Sequence, residues 1–386
     1  MRKNQFRILF IAKNIPVPGK KGNPIILELA EKLRQFFEIE IDILFPKEWV
    51  PYGFNYFEKY KYLSNIEPWT DRNSMIYPAT YFRLPFPNHA FRLIRLTKVS
   101  FPKQVKIKDY DLVHAHYLFP DTLLANKYLE KVKNIPVVTT IRGSDVKLLS
   151  KVSSDSHTYK LGRRNLQRSA AICAFNKPMS DFVKEITSRD SWLIPHGIET
   201  GQLISKFDHE NRDIDVIVVA SAIKLKRIEW VIQAFQEEAA PDQKLVIIGD
   251  GPERKKLEKI AYPNKNITFK GQIPRSEVMS YLNRSKVFAL PSTRETFGMA
   301  FLEAAAKGNA IIAPANTGIS GVFHAGTEAL FIKEYYGFKR ALRKLLRDSK
   351  LQKKLSEGAF RRAKCLTWEK VTEKYYSLYQ EMIFRH

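Results

Sequence analysis

The sequence predicts an α/β protein built from two doubly wound, Rossmann-like domains facing across a cleft, and three observations carry that expectation. Short apolar runs alternate with helical patterns along most of the chain, and such alternation marks parallel sheets with right-handed crossovers. The alternation breaks at 200–213 (TGQLISKFDHENRD), a polar stretch without period that reads as a linker. A length of 386 residues fits two domains at about 100–200 residues each. The expected division is 1–199, then 200–365, then a C-terminal helix over 366–386 that packs back on the first domain.

The elements follow in order. FRILFIAKN is a buried strand with a polar exit, and the loop IPVPGKKGNP leads to a helix with Asn23 as N-cap and Pro24 at its first position. Ile26, Leu29, Ala30, Leu33 and Phe37 recur at three- and four-residue steps and mark one apolar face. IEIDILFP is the next strand. DLVHAH, IPVVTTI, AAICAF and SWLIPHG supply further strands, with a helix around 121–130. After the linker, IDVIVVAS, KLVIIGDG, ITFKGQ, VFALPS and AIIAPA read as five strands separated by helices. The tail over 338–386 is helical and carries Trp368, Tyr375, Tyr376 and Tyr379. In open α/β sheets ligands bind beyond the carboxyl ends of the strands, so the cleft is the expected site.

Composition excludes several classes. With 44% hydrophobic residues the chain is not a disordered polymer, and two cysteines do not make a disulfide scaffold. Cys173 and Cys365 read as reduced, buried thiols of a cytoplasmic protein. FRILFIA carries Arg7 and is stopped by Lys13, too short and too charged for an export signal. The charge-free stretch 308–327 is rich in Gly, Pro, Asn and Ser, so it does not read as a span. A cytoplasmic location is expected, with membrane contact only peripheral, at the cytoplasmic face. The balance of 64 basic against 40 acidic residues gives +24. It implies an anionic partner: nucleic acid, a membrane surface or a phosphorylated substrate.

The most informative stretch is VFALPSTRETFGMAFLEAAAKG. A strand ends at Pro291, a loop holds Glu295, and a helix is expected from near Phe297. Its first-turn N–H groups, those of Phe297, Gly298 and Met299, suit an anionic group. Glu295 and Glu303 are separated by up to about 12 Å along a helix axis at 1.5 Å per residue. They therefore suit two ends of one extended ligand rather than a shared proton or metal. A nucleoside diphosphate sugar fits: ribose at Glu303, diphosphate at the helix start, sugar hydroxyls at Glu295. The bland alternative makes Glu295 a loop charge and Glu303 a solvated helix residue.

Glu-x7-Glu within ETFGMAFLEAAAKG, after a strand ending in LPS, resembles the signature of glycosyltransferase family 4, retaining enzymes of GT-B architecture. DLVHAHYLFPDTLLA, IPVVTTIRGSDV, IPHGIE, VASAIKLKRIEWVIQAF, LVIIGDGPERKKLE and ITFKGQIPRSEV are similar to further segments of that family, in order. The resemblance implies a hexosyltransferase of bacterial polysaccharide or glycolipid biosynthesis. It implies a UDP- or GDP-sugar donor, a saccharide or lipid-linked acceptor, no cofactor and no required metal. Lys226 matches the lysine that neutralises the donor diphosphate. Many relatives carry an arginine at the position of Ser221, and Lys224 is the candidate substitute. Gly249 and Gly251 match a turn near the nucleotide, and Gly271 to Ile273 a segment beside the base.

The family often carries a histidine at the position of Arg142, close to the donor sugar. Arginine cannot deprotonate, so here it would bind phosphate or acceptor. Asp145 or His116 would then share the work of a base. His116 reads equally as structural, and His114 is the weaker candidate. On the acceptor side, Gly19, Lys20, Lys21 and Gly22 form a turn after the first strand, either plain surface or a contact for a phosphorylated acceptor.

Residues 72–108 contain no Asp or Glu but carry Arg72, Arg83, Arg92, Arg95, Lys98, Lys103, Lys106 and Lys108. Tyr81, Phe82, Phe86, Phe91, Leu93, Ile94, Leu96 and Phe101 lie between them. Basic charge interleaved with aromatics suits an element on anionic lipid; a nucleic-acid groove or a basic rim packed on its own domain are the alternatives. Two other functions stand against glycosyl transfer. One is a basic nucleic-acid-binding protein, which gives Glu295 no use and matches no recognised motif, so no nucleic-acid partner is expected. The other is a GT-B hydrolase or epimerase of nucleotide sugars, which an acceptor-free turnover assay separates from a transferase.

Overall fold

The computed structural model describes residues 6–20, 22–49, 66–81, 99–100, 102–129, 135–205 and 211–385. The chain divides into two units. The first comprises Met1–Phe175, Met179–Ile194 and Thr372–His386, and the second Asn176–Pro178 and Pro195–Val371.

The strands of the first unit are Phe6–Ile11 (β1), Ile39–Glu48 (β2), Trp69–Asp71 (β3), Ser74–Tyr81 (β4), Val99–Ser100 (β5), Leu112–Ala115 (β6), Val137–Thr140 (β7), Ala171–Ala174 (β8) and Trp192–Leu193 (β9). They lie in the order β3-β4-β2-β1-β6-β7-β8-β9, with β5 on β4. The pairs β3–β4 and β4–β5 are antiparallel, and β1 runs parallel to both β2 and β6. Ile8, Leu9, Phe10 and Ile11 are fully buried, as a central parallel strand covered on both faces requires.

The second unit holds Ile214–Val219 (β10), Leu245–Ile248 (β11), Ile267–Gly271 (β12), Ser285–Ala289 (β13), Ala310–Pro314 (β14) and Leu330–Ile332 (β15). Their order is β12-β11-β10-β13-β14-β15, parallel throughout. The expected five strands gain a sixth, β15, whose three residues are too few to show a period. Among the parallel strands the order reverses between β1 and β6 in the first sheet and between β10 and β13 in the second. Those switch points are where doubly wound sheets bind ligands.

Local chemistry sets the element ends. The Asn23 side-chain oxygen Oδ1 accepts from the Ile25 N–H at 3.1 Å, and Glu28 N–H donates to the Pro24 carbonyl. The first helix is Ile25–Phe36, so it starts one residue after the expected Pro24. The helix expected from 121 runs Leu123–Leu129, and Asp121 sits in the irregular buried turn Leu118–Thr122 before it. The tail forms three helices, Tyr335–Arg347, Ser349–Lys364 and Trp368–Arg385. In the last, Tyr376 stacks on Phe37 at 4.3 Å, and the Tyr379 hydroxyl meets His114 Nδ1 at 2.7 Å. Cys173 is buried as expected but Cys365 is exposed, because it follows the helix Ser349–Lys364 on its solvent side.

Of the basic segment, Arg72 is paired with Glu31 at 3.2 Å and Glu28 at 3.6 Å, and Val105 and Ile107 are buried. Arg83, Arg92, Arg95, Lys98, Phe82, Phe86, Phe91, Ile94, Leu96 and Phe101 lie outside the described residues. Among the described residues no helix is long and apolar enough to cross a membrane.

Candidate active site

In the second unit the site forms where β10 and β13 end. Beyond β10 the chain makes a short turn, Lys224–Lys226, and beyond β13 it makes the loop holding Ser292 and Glu295. Thr293 fastens the two, its N–H and hydroxyl both donating to the Leu225 carbonyl at 2.8 and 3.2 Å. Lys226 Nζ then donates to Glu295 Oε1 at 2.5 Å, and the Ser292 hydroxyl donates to the same oxygen at 2.9 Å. The Glu295 side chain is 11% exposed and that of Lys226 22%. Such a pair keeps a positive charge and an acceptor oxygen side by side at the sheet's switch point. Lys224 is exposed on the same turn, and Ser221 is exposed before it. Arg227 lies against the Trp230 ring at 4.3 Å.

The helix expected from Phe297 begins two residues later, as Met299–Ala306. Gly298 stands at its N-cap with φ +80°, a left-handed conformation that glycine adopts without penalty. Phe297 is buried, edge-on to the His196 ring, so the first N–H groups of the helix belong to Met299 and Ala300. Glu303 lies on this helix with its carboxylate 2.6 Å from Arg275 Nη2. The expected ligand ends thus each contact a cation from another element. Gly249 follows β11 with φ +129°, and a Cβ there would fall 1.9 Å from the Ala220 carbonyl oxygen. The GDG turn of Gly249, Asp250 and Gly251 is therefore required by close packing on the loop after β10. Ala222 N–H donates to the Asp250 carbonyl at 2.9 Å. Gly271 ends β12, and Ile273 precedes the helix Arg275–Asn283.

In the first unit Arg142 follows β7 and is 8% exposed. Its Nε donates to the His116 carbonyl at 3.0 Å, and its guanidinium carbon lies 4.5 Å from the Phe175 ring. Asp145 Oδ2 accepts from the Arg142 N–H at 2.9 Å and from the Leu118 N–H at 3.2 Å, fastening two loops. Burial pushes its carboxyl up. His116 is fully buried, its ring 4.5 Å from that of Phe10. His114 bridges the Tyr379 and Thr140 hydroxyls at 2.7 Å each. Burial, with Arg142 adding to it, pulls the His114 imidazole down to about 3, so it is a neutral structural bridge. Val17 and Lys20 pair across a tight turn in which Gly19 has φ +79°. Gly22 follows it, and Lys21 lies outside the described residues.

Sequence reasoning missed Arg275, Lys13 and Tyr117, which meet neighbours distant in the chain, and Ser292, whose hydroxyl bonds Glu295 three residues on. The sequence also contains two Asp-x-Asp pairs, Asp109–Asp111 and Asp213–Asp215. They lie before β6 and at the start of β10, at the amino ends of the sheets. Asp213 binds Arg284, Asp215 binds Lys286 at 2.9 Å, and Asp111 accepts from the Arg7 N–H. A cavity of about 650 Å³ lined by Arg7, Arg34, Asp42 and Met75 opens at the amino ends of β1 and β2, away from Arg142 and His116.

Two doubly wound units, one presenting a lysine and two spaced carboxylates beyond its strands, define a GT-B glycosyltransferase. Residues 25–202 match the model of Glycosyltransferase Family 4, and residues 201–362 that of glycosyl transferases group 1. The two matches together span residues 25–362, and the chain is a glycosyltransferase with the domains of family 4 and group 1 enzymes. It is 26% identical to N-acetyl-alpha-D-glucosaminyl L-malate synthase of Bacillus anthracis over 81% of this chain and 87% of that one. It is 25% identical to alpha-monoglucosyldiacylglycerol synthase of Acholeplasma laidlawii over 76% of this chain and 80% of that one. Among solved structures, Anabaena HepE in complex with UDP and glucose superposes with a TM-score of 0.66 at 14% identity, covering 97% of this chain and 100% of that one.

Proposed function

We propose that the protein is a retaining glycosyltransferase that moves a hexose from a nucleoside diphosphate sugar to a saccharide or lipid-linked acceptor. The pairing of Lys226 with Glu295 at the β10/β13 switch point carries the reading. When the donor binds, its diphosphate attracts the Lys226 ammonium, and Glu295 is left to accept hydrogen bonds from sugar hydroxyls. As the glycosidic bond breaks, negative charge grows on the β-phosphate, and a fixed ammonium there stabilises the transition state more than the ground state. Glu303 accepts from the ribose hydroxyls in exchange for Arg275. The N–H groups of Met299 and Ala300 face the diphosphate, Gly249, Gly251, Gly271 and Ile273 border the nucleotide, and Lys224 supplies a second cation in place of the residue at Ser221. These groups supply the positive charge the leaving diphosphate needs without a required metal ion. The leaving oxygen takes the acceptor's proton on the departing face, which gives retention.

The UDP complex of the HepE structure favours UDP as donor nucleotide. The glucosyldiacylglycerol synthase among the relatives favours a lipid-linked acceptor at the cytoplasmic face of a membrane. The basic stretch 72–108 would contact anionic lipid there. The test is transfer of a labelled sugar from its UDP or GDP donor, with the anomeric configuration of the product read by NMR. A product of inverted configuration overturns retention, and turnover that needs no acceptor identifies a hydrolase.

A further inference from the structure

The loop that carries Glu295 is pinned along its backbone by other parts of the second unit. Thr293 gives both its N–H and its hydroxyl to the Leu225 carbonyl. The Glu295 carbonyl accepts from the Gly318 N–H at 2.8 Å. The Thr296 carbonyl accepts from Nδ2 of the fully buried Asn176 at 2.7 Å. Gly318 packs so closely on the loop that a Cβ there would fall 1.7 Å from the Thr296 carbonyl oxygen. Three distant anchors thus hold residues 293–296, and what stays free is the Glu295 side chain with its rotatable bonds.

Two donors hold that side chain, and both fall on one oxygen. Oε1 takes the Lys226 ammonium at 2.5 Å and the Ser292 hydroxyl at 2.9 Å. Among the described residues no donor is within hydrogen-bond distance of Oε2. The two donors differ in their freedom. Ser292 is 1% exposed, so its hydroxyl has no bulk water to turn to. The Lys226 side chain is 22% exposed, and its ammonium is a movable point charge that an arriving anion attracts. On the glycosyl-transfer reading the donor diphosphate is that anion. Once Lys226 turns to it, Ser292 is the one protein donor left on the Glu295 carboxylate among the described residues.

We infer that Ser292 is a positioning residue for the transfer: its buried hydroxyl holds Oε1 while the donor is bound, so that Oε2 meets the hydroxyls of the donor sugar. The inference deepens the glycosyl-transfer reading and rests on it. Hydrogen bonds to a carboxylate are charge-assisted and strong when the geometry is fixed. Without Ser292 the side chain samples its rotamers, and the sugar contact then carries the entropy cost of ordering it. The loss therefore falls on the sugar and spares the nucleotide, which reaches neither Ser292 nor Oε2.

Titration calorimetry on the full chain tests this. Wild type, Ser292→Ala, Ser292→Thr, Glu295→Ala and Ser292→Ala combined with Glu295→Ala are titrated with UDP, UDP-glucose, UDP-N-acetylglucosamine, GDP and GDP-mannose. Bare nucleotide should bind wild type and Ser292→Ala alike, within about twofold. The nucleotide sugar that wild type binds most tightly should bind Ser292→Ala about tenfold more weakly, the scale of one hydrogen bond to a charged group. Ser292→Thr, which keeps the hydroxyl, should stay within about threefold of wild type. In the Glu295→Ala background, Ser292→Ala should add less than about twofold, because the group it positions is gone. A loss shared by bare nucleotide, or undiminished in the Glu295→Ala background, makes Ser292 a packing residue and overturns the inference. Equal binding of every nucleotide sugar by wild type and Ser292→Ala overturns it too. The Glu295→Ala comparison decides the matter even where the added methyl of Ser292→Thr is not tolerated. Wild type that binds neither UDP nor GDP sinks the glycosyl-transfer reading and the inference with it, whereas nucleotide binding with a silent Ser292 sinks the inference alone.

Discussion

Lys226 and Glu295 come from loops 69 residues apart in the chain and meet at 2.5 Å, with the Ser292 hydroxyl on the same carboxylate oxygen. The contact joins the loops beyond β10 and β13, so on the proposed reading the charge for a diphosphate and the acceptor for a sugar hydroxyl are assembled before either ligand arrives. Preorganisation of this kind lowers the barrier because little reorganisation is needed as charge develops.

Lys226→Ala should lower kcat by about 100- to 1,000-fold, the range for removing one group that stabilises developing charge. Lys226→Arg, which keeps the charge, should retain more of the rate. Steady-state kinetics decides the matter. An effect seen only in the acceptor KM would remove Lys226 from the donor site.

Glu295→Ala and Glu303→Ala should each abolish most transfer while the thermal midpoint moves little, since the proposed reading puts both on the ligand, and one lies on a loop and the other on the helix Met299–Ala306 rather than in the apolar core. Activity near that of wild type at saturating donor, in either variant, would show that the ligand's two ends are wrongly assigned.

Gly249→Ala should destabilise the second unit by about 2 kcal/mol or more, since left-handed backbone and a blocked Cβ act together. The clash is with the Ala220 carbonyl oxygen at 1.9 Å, backbone that cannot rotate aside. A urea midpoint unchanged from wild type would contradict this packing.

His114 makes stability depend on pH. Its folded imidazole titrates at about 3, below the ordinary value near 6.5. Between those values the unfolded chain binds the extra proton. The contribution is complete above about 6.5 and drains away as pH falls toward 3, by up to about 1.4 kcal/mol per pH unit. Asp121, whose carboxyl is pushed up by burial, acts in the opposite sense, so the comparison must be between wild type and His114→Gln. Denaturant midpoints over pH 4–7 should fall less steeply with acid in the variant. Parallel curves would mean that His114 is not held neutral.

The 72–108 stretch should bring the protein to vesicles of anionic lipid and not to neutral ones. About 1 kcal/mol per basic residue near the surface is the expected scale, weakened by salt. Replacing Arg92, Arg95 and Lys98 by Glu should release it while sparing transfer to a short soluble acceptor. Equal binding of both vesicle types, or no release, would end the membrane role of this stretch.

The sequence made both sheets legible because the strands are short apolar runs with nothing else to be, as in IDVIVVAS and FRILFIA. It also showed the Glu-x7-Glu loop and helix, since the spacing of Glu295 and Glu303 is local. What it hid was nonlocal or geometric. Arg275 reaches Glu303 across 28 residues, and Lys13 meets Tyr117 only when β1 and β6 pair. Helix starts were placed one or two residues early, because Pro24 precedes its helix and Gly298 takes a left-handed cap that no apolar period reveals. Cys365 reads like Cys173 in the sequence, and only helix phase exposes it. β15 is too short for any period to register.

On the proposed reading the second unit holds a nucleoside diphosphate sugar through Lys226 and Glu303. Calorimetric titration of UDP and GDP into wild type, Lys226→Ala and Glu303→Ala tests it most directly. One nucleotide should bind wild type and bind each variant at least tenfold more weakly, a loss of about 1.4 kcal/mol per tenfold. Binding of neither nucleotide by wild type, or equal binding by all three proteins, would contradict the account.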